Sequence, residues 1–245
     1  MQSQIHNLKG EILDYSFHEA DPKTHNLVII GHGVTGNKDR PWALALAEAL
    51  AEAGHHALRF SFSGNGASEG SFKDSTISKE VTDLAAVISA AEDAGHSRIT
   101  YTGHSMGGAV GVLAAARDSR IQRLISLAGM VYTAKFANTE FSDVTPGEGN
   151  MWEDENCPLS TAFVDDMKAI DSVLPYASRI TIPWLLVHGS TDDVVPIEES
   201  RNIFDHANEP KKLVELPGVD HVFSDGGLQP MIKSVIAWLA DEGAA

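Results

Sequence analysis

Short apolar runs, each followed by a longer stretch with helical spacing, recur along most of this chain and restrict its fold more than any other feature. "LVIIGHG" is followed by "RPWALALAEALAEAG", and "HHALRFSF" by "DSTISKEVTDLAAVISAAEDAG". "RITYTGH" leads into "SMGGAVGVLAAARD", and "ITIPWLLVHG" leads to "PIEESRNIFDHAN". Near-continuous apolar strands are buried on both faces, as in a parallel sheet covered by helices on each side. "IQRLISLAG" and "KKLVELPG" add strands, and "GGLQPMIKSVIAWLADE" a closing helix. The expected class is therefore α/β, with a mostly parallel central sheet and helices on both faces. "SQIHNLKG" and "EILDYSFHEA" have no helix between them and predict an antiparallel hairpin at the start. Pro41 suits the start of the first helix and Gly54 its end, and Asp74 or Ser75 is placed to cap the second.

The rhythm breaks from Val131 to Arg179. "NTEFSDVTPGEGNMWEDENCP" is rich in Gly, Pro, Asn and acid, and helical pieces follow in "LSTAFVDDMKAIDSVLPYAS". A long insertion between two strands of a compact fold usually serves as a lid or binding loop. Without repeats or a low-complexity linker, one domain over residues 1–245 is expected, with a short lid at about 131–179. The 43% hydrophobic content suffices for its core.

A net charge of −16 disfavours nucleic acid and anionic membrane as partners. Cys157 is the sole cysteine, which excludes an internal disulfide and gives no sign of an oxidising compartment or a cysteine-based metal site. The opening "MQSQIHNLKGEILDYSF" does not read as a targeting leader, and no apolar run is bilayer-length. A cytoplasmic protein acting on a small molecule is expected.

The chemistry-bearing stretch is "GHSMGG". Ser105 falls between a predicted strand and a predicted helix, with Gly103 and Gly107 two residues away on either side. That is the setting of a nucleophile on a sharp turn, with the Met106 N–H at the helix start available to a developing oxyanion. A serine hydroxyl needs a base, and the base an orienting acid. Of eleven histidines, His221 in "LPGVDHVFSDGG" occupies the loop before the last helix, in chain order serine, acid, histidine. His32, His104 and His188 stand beside glycines at strand ends, where histidines more often cap or pack. "STDDVVP" offers Asp192 and Asp193, of which only one can face the imidazole. Asp165 and Asp166 fall in a predicted lid helix and rank low.

"IIGHGVTGNKDR", "FSFSGNGASEGSF", "GHSMGG", "HGSTDDVVP" and "GVDHVF" together resemble the α/β-hydrolase superfamily over nearly the whole chain, and in particular its feruloyl (cinnamoyl) esterase and serine-aminopeptidase-like branch. The resemblance implies the α/β-hydrolase fold, Asp192 rather than Asp193 as the acid, and the Val34 N–H as a second oxyanion donor. It implies a carboxylic ester hydrolase working through an acyl-enzyme on Ser105, His221 and Asp192, with no cofactor or metal. Amidase or aminopeptidase, thioesterase and monoacylglycerol lipase activities are alternatives on this fold, as is a ligand-binding protein with an idle triad. Phe136, Trp152, Phe163 and Val194 are the candidate pocket residues, with Trp184 nearby, and Ser68 or Glu69 could reach the entrance. The acidic lid, if folded over the site, would disfavour anionic acyl donors.

Overall fold

The computed structural model describes residues 4–21 and 24–243. Ile5–His6 (β1) and Ile12–Leu13 (β2) pair antiparallel as a separate ribbon. Tyr15–His18 (β3), Asn26–Gly31 (β4), His56–Phe60 (β5), Arg98–His104 (β6), Ile121–Leu127 (β7), Trp184–Gly189 (β8) and Lys211–Leu216 (β9) form one sheet. Its order is β3-β5-β4-β6-β7-β8-β9. Only β3 runs antiparallel to its neighbour. The predicted opening hairpin is thus divided, because β3 leaves the ribbon to cover the edge of β5.

The helices are Pro41–Glu52 (α1), Ile77–Asp93 (α2), Met106–Ala115 (α3), Thr133–Glu140 (α4), Thr161–Ile170 (α5), Ile197–His206 (α6) and Leu228–Gly243 (α7). Side chains alternate across each strand and so feed two cores. Leu27 and Ile29 of β4, with Leu124 of β7 and Leu186 of β8, pack beneath α2, α3 and α6. Val28, Ile30, Ile125 and Val187 pack beneath α1 and α7. Each fully buried aliphatic side chain contributes roughly 1.5–3 kcal/mol. No helix among the described residues is long and apolar enough to cross a membrane.

α1 joins β4 to β5 on one side, and α2 carries the chain back across to β6 on the other. The strand order therefore reverses between β4 and β6, and a crevice at the carboxyl ends of those strands follows. The segment between β7 and β8 carries α4, α5 and two tight helical turns at Met151–Glu153 and Leu174–Arg179, in the place expected of the lid. Glu199 of α6 anchors its first residues, accepting from the amides of Val131 and Tyr132 at 2.7 and 3.1 Å.

The cap of α2 is Thr76, whose hydroxyl accepts from the Lys79 amide at 3.1 Å. Asp74 and Ser75 do not serve, since a preceding tight turn over Phe72–Asp74 takes up both residues.

Two carboxyls lie buried on α2. Asp83 accepts from the Asn7 amide group at 2.8 Å and from the Ser63 amide and hydroxyl at 2.8 and 2.6 Å. Glu80 accepts only from the Ser75 hydroxyl, at 3.1 Å, and its Oε2 has no partner among the described residues. Burial first, then the nearby Asp83 charge, push the Glu80 carboxyl well above the usual range. The folded state therefore holds the Glu80 proton more tightly than the unfolded chain does. Its stabilising effect is complete below the ordinary glutamate value and is lost as pH rises toward the folded value, by up to about 1.4 kcal/mol per pH unit. Glu80→Gln is expected to flatten the fall in urea midpoint as pH rises above the ordinary glutamate value. An unchanged slope would mean that Glu80 is ionised in the fold.

Candidate active site

Strand register builds the first half of the site. Gly31 of β4 lies opposite Gly103 of β6, so His32-Gly33 emerges beside His104-Ser105. A Cβ on Gly33 would stand only 2.7 Å from that of Ser105. At Ser105 the chain turns into α3 with φ 53° and ψ −120°, a conformation that costs a non-glycine residue about 1–3 kcal/mol. A Cβ on Gly103 would run into the Gly107 carbonyl, and one on Gly107 into the His32 carbonyl, so both positions require glycine. β7 and the loop after it hold the turn in place: the Ser105 amide donates to the Leu127 carbonyl, and the Met130 amide to that of Ser105, both at 3.0 Å. The Ser105 hydroxyl itself bonds to no described residue and faces a cavity of about 180 Å³.

The other half comes from β8 and β9. Gly189 pairs with Leu216, and the Thr191 amide and hydroxyl both bond the Val219 carbonyl, at 3.1 and 3.0 Å. These links align the loop carrying Asp192 with the loop carrying His221. His221 Nδ1 donates to Asp192 Oδ2 at 2.7 Å, while the His221 ring borders the same cavity as Ser105. Asp193 is exposed, so the structure separates the adjacent acids. Asp192 is fully enclosed, and its Oδ1 accepts from the amides of Val194 and Val195 at 2.9 and 2.8 Å. Burial raises the Asp192 carboxyl, but the bonds from His188 and His221 outweigh it and hold the group far below the usual carboxylate range.

Three more histidines shape the site, all read from the sequence as packing or capping residues. His188, wholly buried, donates from Nε2 to Asp192 Oδ2 at 3.0 Å and to the Val195 carbonyl at 2.8 Å, while Nδ1 takes the Ser200 hydroxyl at 2.7 Å. His104 donates from Nε2 to the backbone carbonyl of His221 at 2.8 Å, and burial, then the His221 charge, lower its pKa to about 3. His32 accepts the Phe62 amide at Nε2, which leaves Nδ1 to donate to the Gly33 carbonyl at 2.9 Å; burial lowers its pKa to about 4. Neutral His32 and His104 therefore hold the loops on either side of Ser105. Their hydrogen-bonding role is consistent with the sequence reading, but His188 contacts the acid itself. The available signal was its place four residues before Asp192, across a tight turn.

Val34 lies in a turn closed by the Gly36 amide on the Gly33 carbonyl at 3.0 Å. Arg40 Nη2 braces that turn by donating to the Thr35 carbonyl at 2.9 Å. Neither the Val34 amide nor the Met106 amide donates to another described residue. Met106 also heads α3, where the helix end favours negative charge.

Of the predicted pocket residues, Trp152 and Val194 border the cavity. Phe136 and Phe163 do not. Both are buried one layer back, where Phe141 packs on Phe136, Phe163 and Trp152 at 6.0, 6.2 and 5.0 Å between ring centres. Trp184 belongs to the core, with its indole N–H on Ser126. Ser68 and Glu69 instead tie the 64–70 loop to the early strands, bonding the amides of Asp14 and Ile12 at 2.8 Å. The acids Asp143, Glu148, Glu153 and Glu155 of the 131–179 segment line a separate open depression. The one permanently charged side chain at the cavity is the cationic Arg40. Trp42, hidden in an Ala- and Leu-rich helix pattern, and Val222 complete walls that sequence reading missed.

Residues 26–155 match the family model described as the alpha/beta hydrolase fold, and residues 154–224 match serine aminopeptidase, S33. The chain belongs to the α/β-hydrolase fold family. It is similar to Est1E from Butyrivibrio proteoclasticus, solved with ferulic acid bound, at 27% identity and a TM-score of 0.86 over 99% of this chain and all of that one. The mouse palmitoyl-protein thioesterase ABHD10, mitochondrial, is 26% identical over 82% of this chain and 70% of its own length. The uncharacterized protein YfhR of Escherichia coli K12 is 28% identical over 81% of this chain, which spans 64% of YfhR.

Proposed function

We propose that this hydrolase-family chain cleaves carboxylic esters through an acyl-enzyme on Ser105. The observation that carries the reading is the 2.7 Å bond from His221 to a buried Asp192, beside a strained serine facing the same cavity. Asp192 holds the His221 proton on Nδ1, which leaves Nε2 free to take the Ser105 proton as Oγ attacks the ester carbonyl. The negative charge then forms between the amides of Val34 and Met106, each such donor being worth about 3 kcal/mol. His221 returns the proton to the departing alkoxide, and water repeats the sequence on the acyl-enzyme. Acidification is expected to stop turnover, since an imidazolium cannot accept the serine proton.

The cavity of about 180 Å³ lies below the range of about 300–1,000 Å³ usual for small-molecule pockets. Together with the Trp42 and Trp152 walls, this favours a short-chain acyl group. Thioester cleavage is the second reading, favoured by likeness to the mouse thioesterase. The two differ only in the leaving atom, and a palmitoyl chain exceeds the cavity. A p-nitrophenyl butyrate assay, its S-butyryl counterpart and fluorophosphonate labelling test both. Turnover with an adduct mapped to Ser105 is expected, and absence of both would exclude a serine hydrolase.

His188 serves as a positioning residue through Asp192. His188→Leu is expected to lower kcat about 10–100-fold, the worth of a hydrogen bond to a charged group. Losing that donor raises the Asp192 pKa, so the loss of folding stability in acid begins at higher pH. His188→Gln, which keeps an N–H, is expected to recover most of both effects. A loss of folded protein with an unmoved pH profile would indicate packing alone.

A further inference from the structure

Beside the cavity that holds Ser105 lies a second and larger one, of about 380 Å³, that the catalytic reading leaves unused. Pro41 and Trp42, at the start of α1, form one wall. The loop from Val222 to Gly226 and Leu228 of α7 form the other. Arg40, Trp42 and Val222 border both cavities, so the two adjoin. The groove is lined chiefly by Trp42, Val222, Phe223 and Leu228, with charge only from Arg40 and Asp225, both exposed.

The direction of the chemistry assigns the groove an occupant. In a tetrahedral intermediate on Ser105, the oxyanion faces the Val34 and Met106 amides, and the leaving oxygen must face His221, which protonates it. The groove runs along the loop from Val222, the residue directly after His221, to Gly226, whereas Trp152 of the 131–179 segment borders the smaller cavity alone. We propose that this groove is the leaving-group subsite and takes an apolar alcohol or phenol, while the acyl group occupies the smaller cavity that Trp152 borders. At about 30 Å³ per atom it admits on the order of a dozen non-hydrogen atoms, the size of a bicyclic aryl group. The proposal rests on the acyl-transfer reading above and names the part of the substrate that the reading left open.

Two acetate esters test it, because both form the same acetyl-enzyme: 2-naphthyl acetate, which fills the groove, and ethyl acetate, which does not. Leu228→Trp narrows the groove without touching Ser105, His221 or Asp192. It is expected to lower kcat/KM for 2-naphthyl acetate about tenfold or more, the scale of a blocked apolar subsite, with less than about a twofold change for ethyl acetate. The deacylation rate constant, read after the burst, is expected to stay the same, since the leaving group has by then departed. Leu228→Ala, the milder change, is expected to shift preference toward the bulkier ester. Equal losses on both esters in Leu228→Trp, a slowed deacylation, or an unmoved preference in both variants would overturn the assignment. Wild-type protein that neither turns over either ester nor accepts a fluorophosphonate on Ser105 would instead overturn the catalytic reading, which separates the two failures.

Discussion

Asp192→Asn is expected to lower kcat for p-nitrophenyl esters about 10⁴-fold, with a much smaller change in KM. The surroundings of Asp192 dictate this outcome. Its Oδ1 is held by the amides of Val194 and Val195, so an asparagine must place its carbonyl oxygen there and its NH₂ where Oδ2 stood. That NH₂ would face Nδ1 of His221 and Nε2 of His188, both donors to Oδ2. His221 can accept from it only by moving its own proton to Nε2, the atom that has to receive the serine proton. The base is then present, in place and in the wrong tautomer. Stability responds as well. The lowered Asp192 pKa contributes stability that is fully present above the ordinary aspartate value and is lost as pH falls through the folded one. The deficit of the asparagine variant is therefore expected to be full near neutral pH and to shrink in acid. Single-turnover kinetics read the rate and urea melts at two pH values read the stability; a kcat within tenfold of wild type would remove Asp192 from the relay.

The parts of this site legible in sequence are those set by backbone necessity. A serine at φ 53° between a strand and a helix demands glycine at positions 103 and 107, so the turn had to be written as G-x-S-x-G. Strands buried on both faces read as unbroken apolar runs, and the sheet with its crossover helices followed from them. Side chains that meet only through tertiary packing left no such mark. Phe136 and Phe163 carry the same chemistry as Trp152, yet they lie one layer behind it, on the inward faces of α4 and α5. Trp42 is one aromatic in an alanine-rich helix, and only the reversal of strand order at β4 and β6 brings it beside His104, at 4.9 Å between ring centres. The acidic segment between β7 and β8 shows the same limit for charge. Its composition was plain, but which way it faced depended on the path of residues 143–155, which turns those acids toward an open depression.

Ser105→Gly is expected to change activity and stability in opposite directions. Without the hydroxyl no acyl-enzyme forms, and kcat is expected to fall about a millionfold, as when a triad nucleophile is removed. The backbone responds the other way. At φ 53° and ψ −120° a serine is strained by about 1–3 kcal/mol, while glycine adopts the mirror image of an ordinary extended turn conformation. Against this relief stands the extra freedom of glycine in the unfolded chain, about 0.5–1 kcal/mol. The net gain of about 1 kcal/mol corresponds to a Tm higher by about 2–4 °C for a chain of this size. Ser105→Ala provides the control, since it loses the same activity while keeping a Cβ and therefore the strain. Thermal melts of the three proteins decide the matter: glycine above alanine and serine means that the fold gives up stability to hold the hydroxyl clear of its own backbone. Glycine melting below alanine by about 0.5–1 kcal/mol, the full cost of its unfolded-state freedom, would mean that the turn at 105 carries no strain, and that the bonds to Leu127 and Met130 alone set its shape.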